Sequence, residues 1–189
     1  MMKKFSVRKY FRTHTEVFKK INIDSIEHAI KIIKAHFKKK KKIFTCGNGG
    51  SAYNASHYVT DWNKMLSVKQ NKKIKTFSLC DNIGIVTAFA NDLSYEKIFS
   101  GQLASLMEKG DLLICISGSG NSRNIISAIN FAKKKNCKTL SLVGFDGGEV
   151  KKISDYNVHV PSFDMQICED IHLMIGHMIM KSLLEDTKS

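Results

Sequence analysis

Two short loops rich in glycine and serine are the first parts of this 189-residue chain whose side chains could do chemistry. CGNGGS runs from Cys46 to Ser51, and SGSGNS runs from Ser117 to Ser122. Small residues let backbone N–H groups approach an anion closely, and serine hydroxyls add further donors. Either loop alone is also explained by a tight strand-to-helix turn with a serine cap. Two such loops in one chain favour a ligand that carries a phosphate group.

The two loops match neither of the common nucleotide-binding fingerprints. The chain has no G-x-x-x-x-G-K-S/T motif, and GNGGSA lacks the spacing of G-x-G-x-x-G. We therefore expect a phosphate-bearing ligand that is too simple to need an adenine pocket.

Histidines and carboxylates form two further groups. His57 and Asp61 lie four residues apart in the segment that follows the first loop, so on a helix they would share one face. The second group lies in the apolar segment MQICEDIHLMIGHMIM and consists of Glu169, Asp170, His172 and His177. A single histidine in such a segment is usually a core or surface residue. Two separated pairs in a protein with an anion site favour a shared metal or acid–base centre.

The elements that must position these residues alternate along the chain. Runs rich in β-branched residues predict strands at 43–46, 74–80, 112–116, 139–143 and 156–160. Helical periodicity predicts helices at 5–20, 24–40, 51–66, 83–90, 95–108, 122–135 and 165–185. Asp24 is predicted to cap the second of these helices.

This alternation predicts an α/β fold, with a three-layer, doubly wound, five-stranded parallel sheet, an N-terminal helical pair and a long C-terminal helix. In the flavodoxin-like strand order 2-1-3-4-5, the first and third strands flank the point where the winding reverses. The two glycine–serine loops follow these two strands, so we expect both loops to face the same crevice.

Composition indicates one domain over residues 1–189, with N-terminal helices in 1–40 and the α/β core and C-terminal helix in 41–189. There is one proline, Pro161, and no internal repeat or linker-like segment. Five scattered cysteines without a Cys-x-x-Cys pair are typical of a reducing compartment. No signal peptide or membrane span is evident, so we expect a cytoplasmic protein that does not bind membranes.

The formal net charge of +13 raises the question of nucleic-acid binding, especially with the lysine block 38–42. Nearly all of the positive charge is lysine, since the only arginines are Arg8, Arg12 and Arg123. Arginine supplies the planar fork favoured in base and phosphate recognition. No aromatic residues interrupt the lysine block as a stacking platform would require. We therefore do not expect specific nucleic-acid binding.

In their order along the chain, the motifs resemble the sugar isomerase (SIS) domain family and, within it, the phosphoheptose isomerases. The matching segments are GNGGSA with a histidine six residues beyond its serine, AFANDLSYEKIFS, SGSGNS, VGFDGGEV and the terminal helix with His172 and His177. The resemblance implies a five-stranded parallel sheet between helices, a homotetramer, and active sites built from more than one subunit.

By match of position, the resemblance also implies the site residues. A sugar phosphate would contact Asn48, Gly49, Gly50, Ser51, Asp92, Ser117, Gly118, Ser119, Ser122 and Glu169. One Zn²⁺ ion per subunit, or another divalent cation, would be held by His57, Asp61, Glu169 and His177. Asp61 and His177 occupy the positions that the family uses for proton transfer.

Three of these positions depart from the family's usual residues. Asp61 stands where glutamate is usual and is one methylene shorter, Glu169 stands where glutamine is usual and adds a negative charge, and Gly118 replaces a threonine. The expected reaction is isomerisation of sedoheptulose 7-phosphate to D-glycero-D-manno-heptose 7-phosphate through an enediol. Two alternatives stay open: an isomerase for another phosphosugar, and a non-catalytic SIS module that binds phosphosugars or regulates a partner.

Overall fold

A five-stranded, all-parallel sheet forms the centre of the computed structural model, which describes residues 5–70 and 74–185. The strands are β1 Ile43–Gly47, β2 Thr76–Ser78, β3 Leu112–Ser117, β4 Lys138–Val143 and β5 Tyr156–His159. Their order in the sheet is β2-β1-β3-β4-β5, and every neighbouring pair is parallel. The predicted fold class and strand order are therefore confirmed.

Helices cover both faces of this sheet. They are α1 Val7–Phe18, α2 Ile23–Lys38, α3 Gly50–Gln70, α4 Ile83–Asp92, α5 Ser100–Leu106, α6 Arg123–Lys134, α7 Gly148–Ile153 and α8 Met165–Glu185. Side chains of α1, α2, α3 and α8 pack on one face, and those of α5, α6 and α7 pack on the other. In the described parts of the chain, none of these helices has both the length and the apolar character needed to cross a bilayer.

The central strand β3 is buried along its whole length, so its side chains alternate between the two cores. Leu112, Ile114 and Ile116 belong to the core that contains α3 and α8. Leu113 and Cys115 belong to the opposite core. This two-sided burial explains why the strand sequence is apolar without interruption.

Four details differ from the sequence-based predictions. The strand predicted at 74–80 is shorter, since β2 spans only Thr76–Ser78. The N-cap of α2 is Asn22, whose side chain accepts a hydrogen bond from the Ser25 N–H, so the prediction of Asp24 was wrong. Asp24 lies in the first turn instead, where its charge favours the helix dipole. The predicted helix 95–108 is divided into a 3-10 turn, Tyr95–Lys97, and α5, and the Gln102 side chain binds the Ile98 carbonyl between them. Helix α7 was not predicted, because six residues are too few to show helical periodicity.

Helices α3 and α8 pack closely through Trp62, the only tryptophan of the chain. Its buried ring stacks on Tyr58 with 5.3 Å between ring centroids, and its indole N–H donates to the Gly176 carbonyl at 3.3 Å. A Cβ atom at position 176 would overlap the Tyr58 ring, so glycine is needed for this approach. The residues beside this contact, Asp61 on α3 and His177 on α8, are brought together as a result.

Candidate functional site

Both glycine–serine loops open onto one cleft at the carboxyl edge of β1 and β3, with a volume of about 290 Å³. Its lining comprises Asn48, Gly49, Gly50, Ser51, Ile116, Ser117, Gly118, Ser119, Ser122, Met165 and Glu169. Every predicted substrate-binding residue except Asp92 is in this set. The convergence of the two loops that the strand order predicted is therefore present in the structure.

The first loop turns sharply from β1 into α3. Gly49 adopts a left-handed backbone conformation with φ of 55°, which glycine tolerates without strain. The N–H of Ser51 donates to the Asn48 carbonyl at 3.0 Å and closes the turn. Helix α3 begins at Gly50, so the positive end of its dipole lies at the cleft, where it favours an anion.

The second loop uses its serine oxygens as acceptors within the loop. Ser117 Oγ accepts the Gly120 N–H at 3.0 Å, and Ser119 Oγ accepts the Asn121 N–H at 3.3 Å. A hydroxyl that accepts a hydrogen bond still has its own proton to donate. Ser122 is the N-cap of α6 but does not use its side chain to cap the helix. The loop can therefore offer hydroxyl donors to a ligand in the cleft.

Two side chains of α8 close the other side of the cleft. Met165 and Glu169 are one helical turn apart, and both line the cleft. A Cβ atom at Gly118 would overlap the Met165 sulfur, and a Cβ atom at Gly50 would overlap the Glu169 carboxylate. Burial raises the pKa of Glu169, and the nearby charge of Asp170 raises it further. The wall that α8 contributes thus has one apolar and one acidic side chain.

A cluster of three possible metal ligands lies beyond the cleft on α3 and α8. His57 Nε2 is 3.0 Å from His177 Nε2 and 3.3 Å from Asp61 Oδ2, and His177 Nε2 is 3.6 Å from the same carboxylate oxygen. Among the residues that the structure describes, this is the group whose ligand atoms lie close enough to hold one ion. Glu169, the fourth ligand implied by the resemblance, is not in this group, because its carboxylate lies against Gly50.

The geometry of these three residues fits a divalent cation. Ligand atoms at the usual distances from tetrahedral Zn²⁺ are about 3.3 Å apart, and the three separations in the cluster lie around this value. The side chains keep between 27% and 44% of their surface exposed, so an ion and a substrate oxygen can reach them. Imidazole and carboxylate ligands suit Zn²⁺ and also Mn²⁺ or Fe²⁺.

Asp92 lies apart from these groups. It is the last residue of α4 and is exposed, and its carboxylate accepts a hydrogen bond from the Asn91 side chain at 2.9 Å. None of the residues of α4 is buried within this chain. A contact between Asp92 and a sugar hydroxyl stays a prediction.

Four residues at the site were not identified as site residues from the sequence, and one of them, Ile116, belongs to strand β3. Met165 lines the cleft, and Tyr95 and Asn124 form hydrogen bonds with the cleft residue Asn48. Asn124 follows the second loop by two residues, and Tyr95 lies in the quoted segment AFANDLSYEKIFS, but no local pattern distinguishes either one. These contacts join distant parts of the chain and become visible only in the folded structure.

Comparison with known proteins agrees with the geometry of the fold and the cleft. The family described as SIS domain matches residues 9–144. A phosphoheptose isomerase of Aliarcobacter butzleri is 36% identical over 179 residues, which cover 93% of this chain and 94% of the relative. A solved phosphoheptose isomerase from Neisseria gonorrhoeae has a TM-score of 0.87 and 26% identity, with coverage of 96% and 97%. One from Francisella tularensis, with a TM-score of 0.89, 24% identity and coverage of 95% and 96%, has the same fold. The chain therefore belongs to the SIS domain family and, within it, to the phosphoheptose isomerases.

Proposed function

We propose that the protein isomerises sedoheptulose 7-phosphate to D-glycero-D-manno-heptose 7-phosphate. Membership of the phosphoheptose isomerases supports an isomerase that acts on a sugar phosphate. The observation that carries the proposal is the arrangement of the anion cleft and the His57, Asp61 and His177 cluster along the same two helices. One end of a substrate would be bound in the cleft, and the other would react at the cluster.

The phosphate end would be held by the two serine loops. The N-terminal N–H groups of α3 and α6 supply a favourable potential for an anion, and Ser51, Ser117, Ser119 and Ser122 supply hydroxyl donors. This binding would hold the reacting end of the sugar in place, which makes a unimolecular reaction faster.

The spacing along α3 supports a long sugar. Ser51 and His57 are six residues apart, which corresponds to about 9 Å along the helix axis. An extended chain of single bonds advances about 1.2 Å per bond, so seven bonds from the second carbon of a heptose to its phosphorus span roughly 8 Å. A triose phosphate would be much too short for the same two sites.

We assign proton transfer to Asp61 and His177. The Asp61 carboxylate would remove the proton from the carbon beside the carbonyl and return it to the neighbouring carbon. His177 would move the proton between the hydroxyl and carbonyl oxygens. When a divalent cation is held by His57, Asp61 and His177, with Glu169 as the proposed fourth ligand, the chemistry that it supplies is stabilisation of negative charge on the enediolate oxygens.

Proton NMR in D₂O with sedoheptulose 7-phosphate tests this proposal. We expect deuterium to enter beside the carbonyl and new anomeric signals to appear, and both to be lost on addition of a chelator. His177→Asn should abolish turnover and keep the native circular dichroism spectrum. Full activity of that variant would overturn the assignment of His177, and the absence of aldose product signals with cation-loaded wild-type protein would overturn the reaction.

A different phosphosugar is the second candidate, and the Glu169 carboxylate in the cleft is the observation that favours it. An acidic wall where the family usually has a neutral amide changes the charge that the ligand meets. The same NMR assay with pentose, hexose and heptose phosphates separates the two candidates. A purely non-catalytic binding module would need the serine loops but not the cluster of two histidines and Asp61.

We also propose a cytoplasmic homotetramer with no specific nucleic-acid ligand. Ile83, Ile85 and Leu93 expose 76%, 40% and 66% of their surface on and beside α4, which supports a subunit contact there. All five cysteines are free thiols, which suits a reducing compartment. Sedimentation equilibrium tests the tetramer. A steep salt dependence of retention on nucleic acid would contradict the proposal that the protein has no specific nucleic-acid ligand.

A further inference from the structure

A pair of asparagine side chains joins the two loops of the cleft. Asn48 belongs to the first loop, and Asn124 lies in the first turn of α6, directly after the second loop. Asn48 Nδ2 donates to Asn124 Oδ1 at 2.9 Å, and Asn124 Nδ2 donates to Asn48 Oδ1 at 2.8 Å. Only 2% of the Asn124 surface is exposed, so water does not compete strongly for these hydrogen bonds.

Both amide oxygens of this pair are fully used. Asn48 Oδ1 accepts a second hydrogen bond from the Tyr95 hydroxyl at 3.0 Å, and Asn124 Oδ1 accepts one from the Ile125 N–H at 3.0 Å. An amide oxygen has two lone pairs and accepts two hydrogen bonds. Asn48 therefore has no acceptor left for a ligand, whereas the second proton of its Nδ2 remains available.

We propose that Asn124 is a positioning residue for ligand binding. It fixes the Asn48 amide in the orientation that presents an N–H donor to a sugar phosphate oxygen in the cleft. The Tyr95 hydroxyl supports this orientation, because it also donates to Asn48 Oδ1. An Asn48 amide that turned by 180° would present its carbonyl oxygen instead. Loss of the hydrogen bonds from Asn124 and Tyr95 would therefore weaken the binding of an oxygen-rich anionic ligand. The inference rests on the proposed function in that the cleft binds a sugar phosphate.

The pair also fixes the distance between the loops. Asn48 and Asn124 are 76 residues apart in the chain, and each stands beside a helix N-terminus that faces the cleft. A ligand held by donors from both loops needs them at a constant separation. Replacement of Asn124 should therefore act mainly on affinity, with little effect on the proton-transfer step at the distant histidine cluster.

Asn124→Leu is the sharpest test because leucine has a similar volume, adds no charge beside the cleft, and removes both side-chain hydrogen bonds to Asn48. We expect about tenfold weaker binding of sedoheptulose 7-phosphate by calorimetry and a similar rise in KM, with kcat changed less than about twofold. Tyr95→Phe should weaken binding by about threefold. Because both changes act through Asn48 Oδ1, their combined effect should differ from the product of the single effects.

Ser127→Ala serves as the matched control. Ser127 lies one turn further along α6, and its hydroxyl bonds Ser100 at 3.0 Å rather than Asn48. It should leave the affinity for sedoheptulose 7-phosphate unchanged. Thermal unfolding of every variant sets a temperature at which all are folded before binding is measured.

The outcomes separate this inference from the proposed reaction. Wild-type affinity in folded Asn124→Leu would overturn the positioning role. If the wild-type protein binds sedoheptulose 7-phosphate or inorganic phosphate but does not isomerise the sugar, the proposed reaction fails and the affinities still decide the role of Asn124. If the wild-type protein binds neither probe, the positioning role is overturned as well, since the cleft then has no such ligand.

Discussion

The sulfur atom of Met165 lies where the β-carbon of any larger residue at position 118 would have to be. Gly118 belongs to the second serine loop and Met165 to the first turn of α8, so a helix side chain occupies the space that the loop residue leaves. A threonine at position 118 cannot coexist with this methionine conformation. The two residues form a complementary pair at the wall of the cleft.

Gly118→Thr should therefore be damaging alone and tolerated together with Met165→Ala. The single change forces the thioether out of its place, and we expect a loss of about 1–3 kcal/mol in the free energy of unfolding. Gly118 does not have a positive φ, so the threonine backbone itself is not strained. Urea unfolding of both single variants and the double variant measures the coupling free energy between positions 118 and 165. Equal stability of Gly118→Thr and wild type would show that Met165 moves away freely.

Glu169→Gln should bind inorganic phosphate more tightly than the wild type does. The Glu169 carboxylate lines the cleft where the phosphate is proposed to bind, and removing its charge should be worth on the order of 1 kcal/mol, or about fivefold in affinity. Asp170→Asn is the matched control, because Asp170 accepts a hydrogen bond from Tyr10 at 2.8 Å and lies beside His14 on α1. Calorimetry with phosphate should show the gain only for Glu169→Gln, and equal effects of both variants would contradict a local role of Glu169.

Zinc binding should distinguish the three clustered residues from Glu169. We expect Asp61→Asn to lower the affinity for Zn²⁺ by at least about tenfold, because it removes a charged member of the cluster. Glu169→Gln should have a smaller effect, since its carboxylate lies against Gly50. Competition with a chromogenic chelator gives both affinities. A larger loss in Glu169→Gln would show that this side chain swings into the cluster when the ion binds.

His172 should make the stability fall in mild acid. Burial lowers the pKa of His172 to about 4 from an ordinary 6.5, and the nearby Val143 carbonyl opposes the effect in part. The unfolded chain therefore takes up this proton as the pH falls through 6.5, whereas the folded chain resists it until about pH 4. The free energy of unfolding should drop by roughly 3 kcal/mol across this window and level off below it.

His172→Leu tests this origin of the acid sensitivity. Neither ring nitrogen of His172 has a hydrogen-bond partner among the described residues, so an apolar side chain loses no hydrogen bond there. Urea unfolding at pH 7 and pH 4.5, with a chelator present, should show a smaller pH effect in this variant. His28→Leu, which removes an exposed histidine of α2, should keep the wild-type pH effect. An unchanged pH effect in His172→Leu would assign it to other groups.

The central strands β1, β3 and β4 were predictable because a strand buried on both faces is a short, uninterrupted apolar run. β3 and the run 112–116 show this directly. The cap of α2 was misassigned because Asn22 and Asp24 are both good capping residues, and only backbone geometry separates them. The glycine–serine loops were identified since their chemistry is local to six residues each.

The contacts that complete the site were not predictable in this way. The hydrogen bonds of Asn48 reach Tyr95 and Asn124, which are 47 and 76 residues away in the chain. The overlap of Met165 with position 118 depends on how α8 lies across the carboxyl edge of the sheet. Such contacts follow from tertiary packing, and they cannot be predicted from the periodicity or composition of the sequence.

Trp62 gives the unmodified protein a spectroscopic reporter. As the only tryptophan, it is the sole source of indole fluorescence, and its ring is buried between α3 and α8. Its neighbour in the chain is Asp61, and the carbonyl that it binds belongs to Gly176, next to His177. A cation that draws these two side chains together should shift the emission of Trp62, so occupancy of the cluster can be followed in solution without any label.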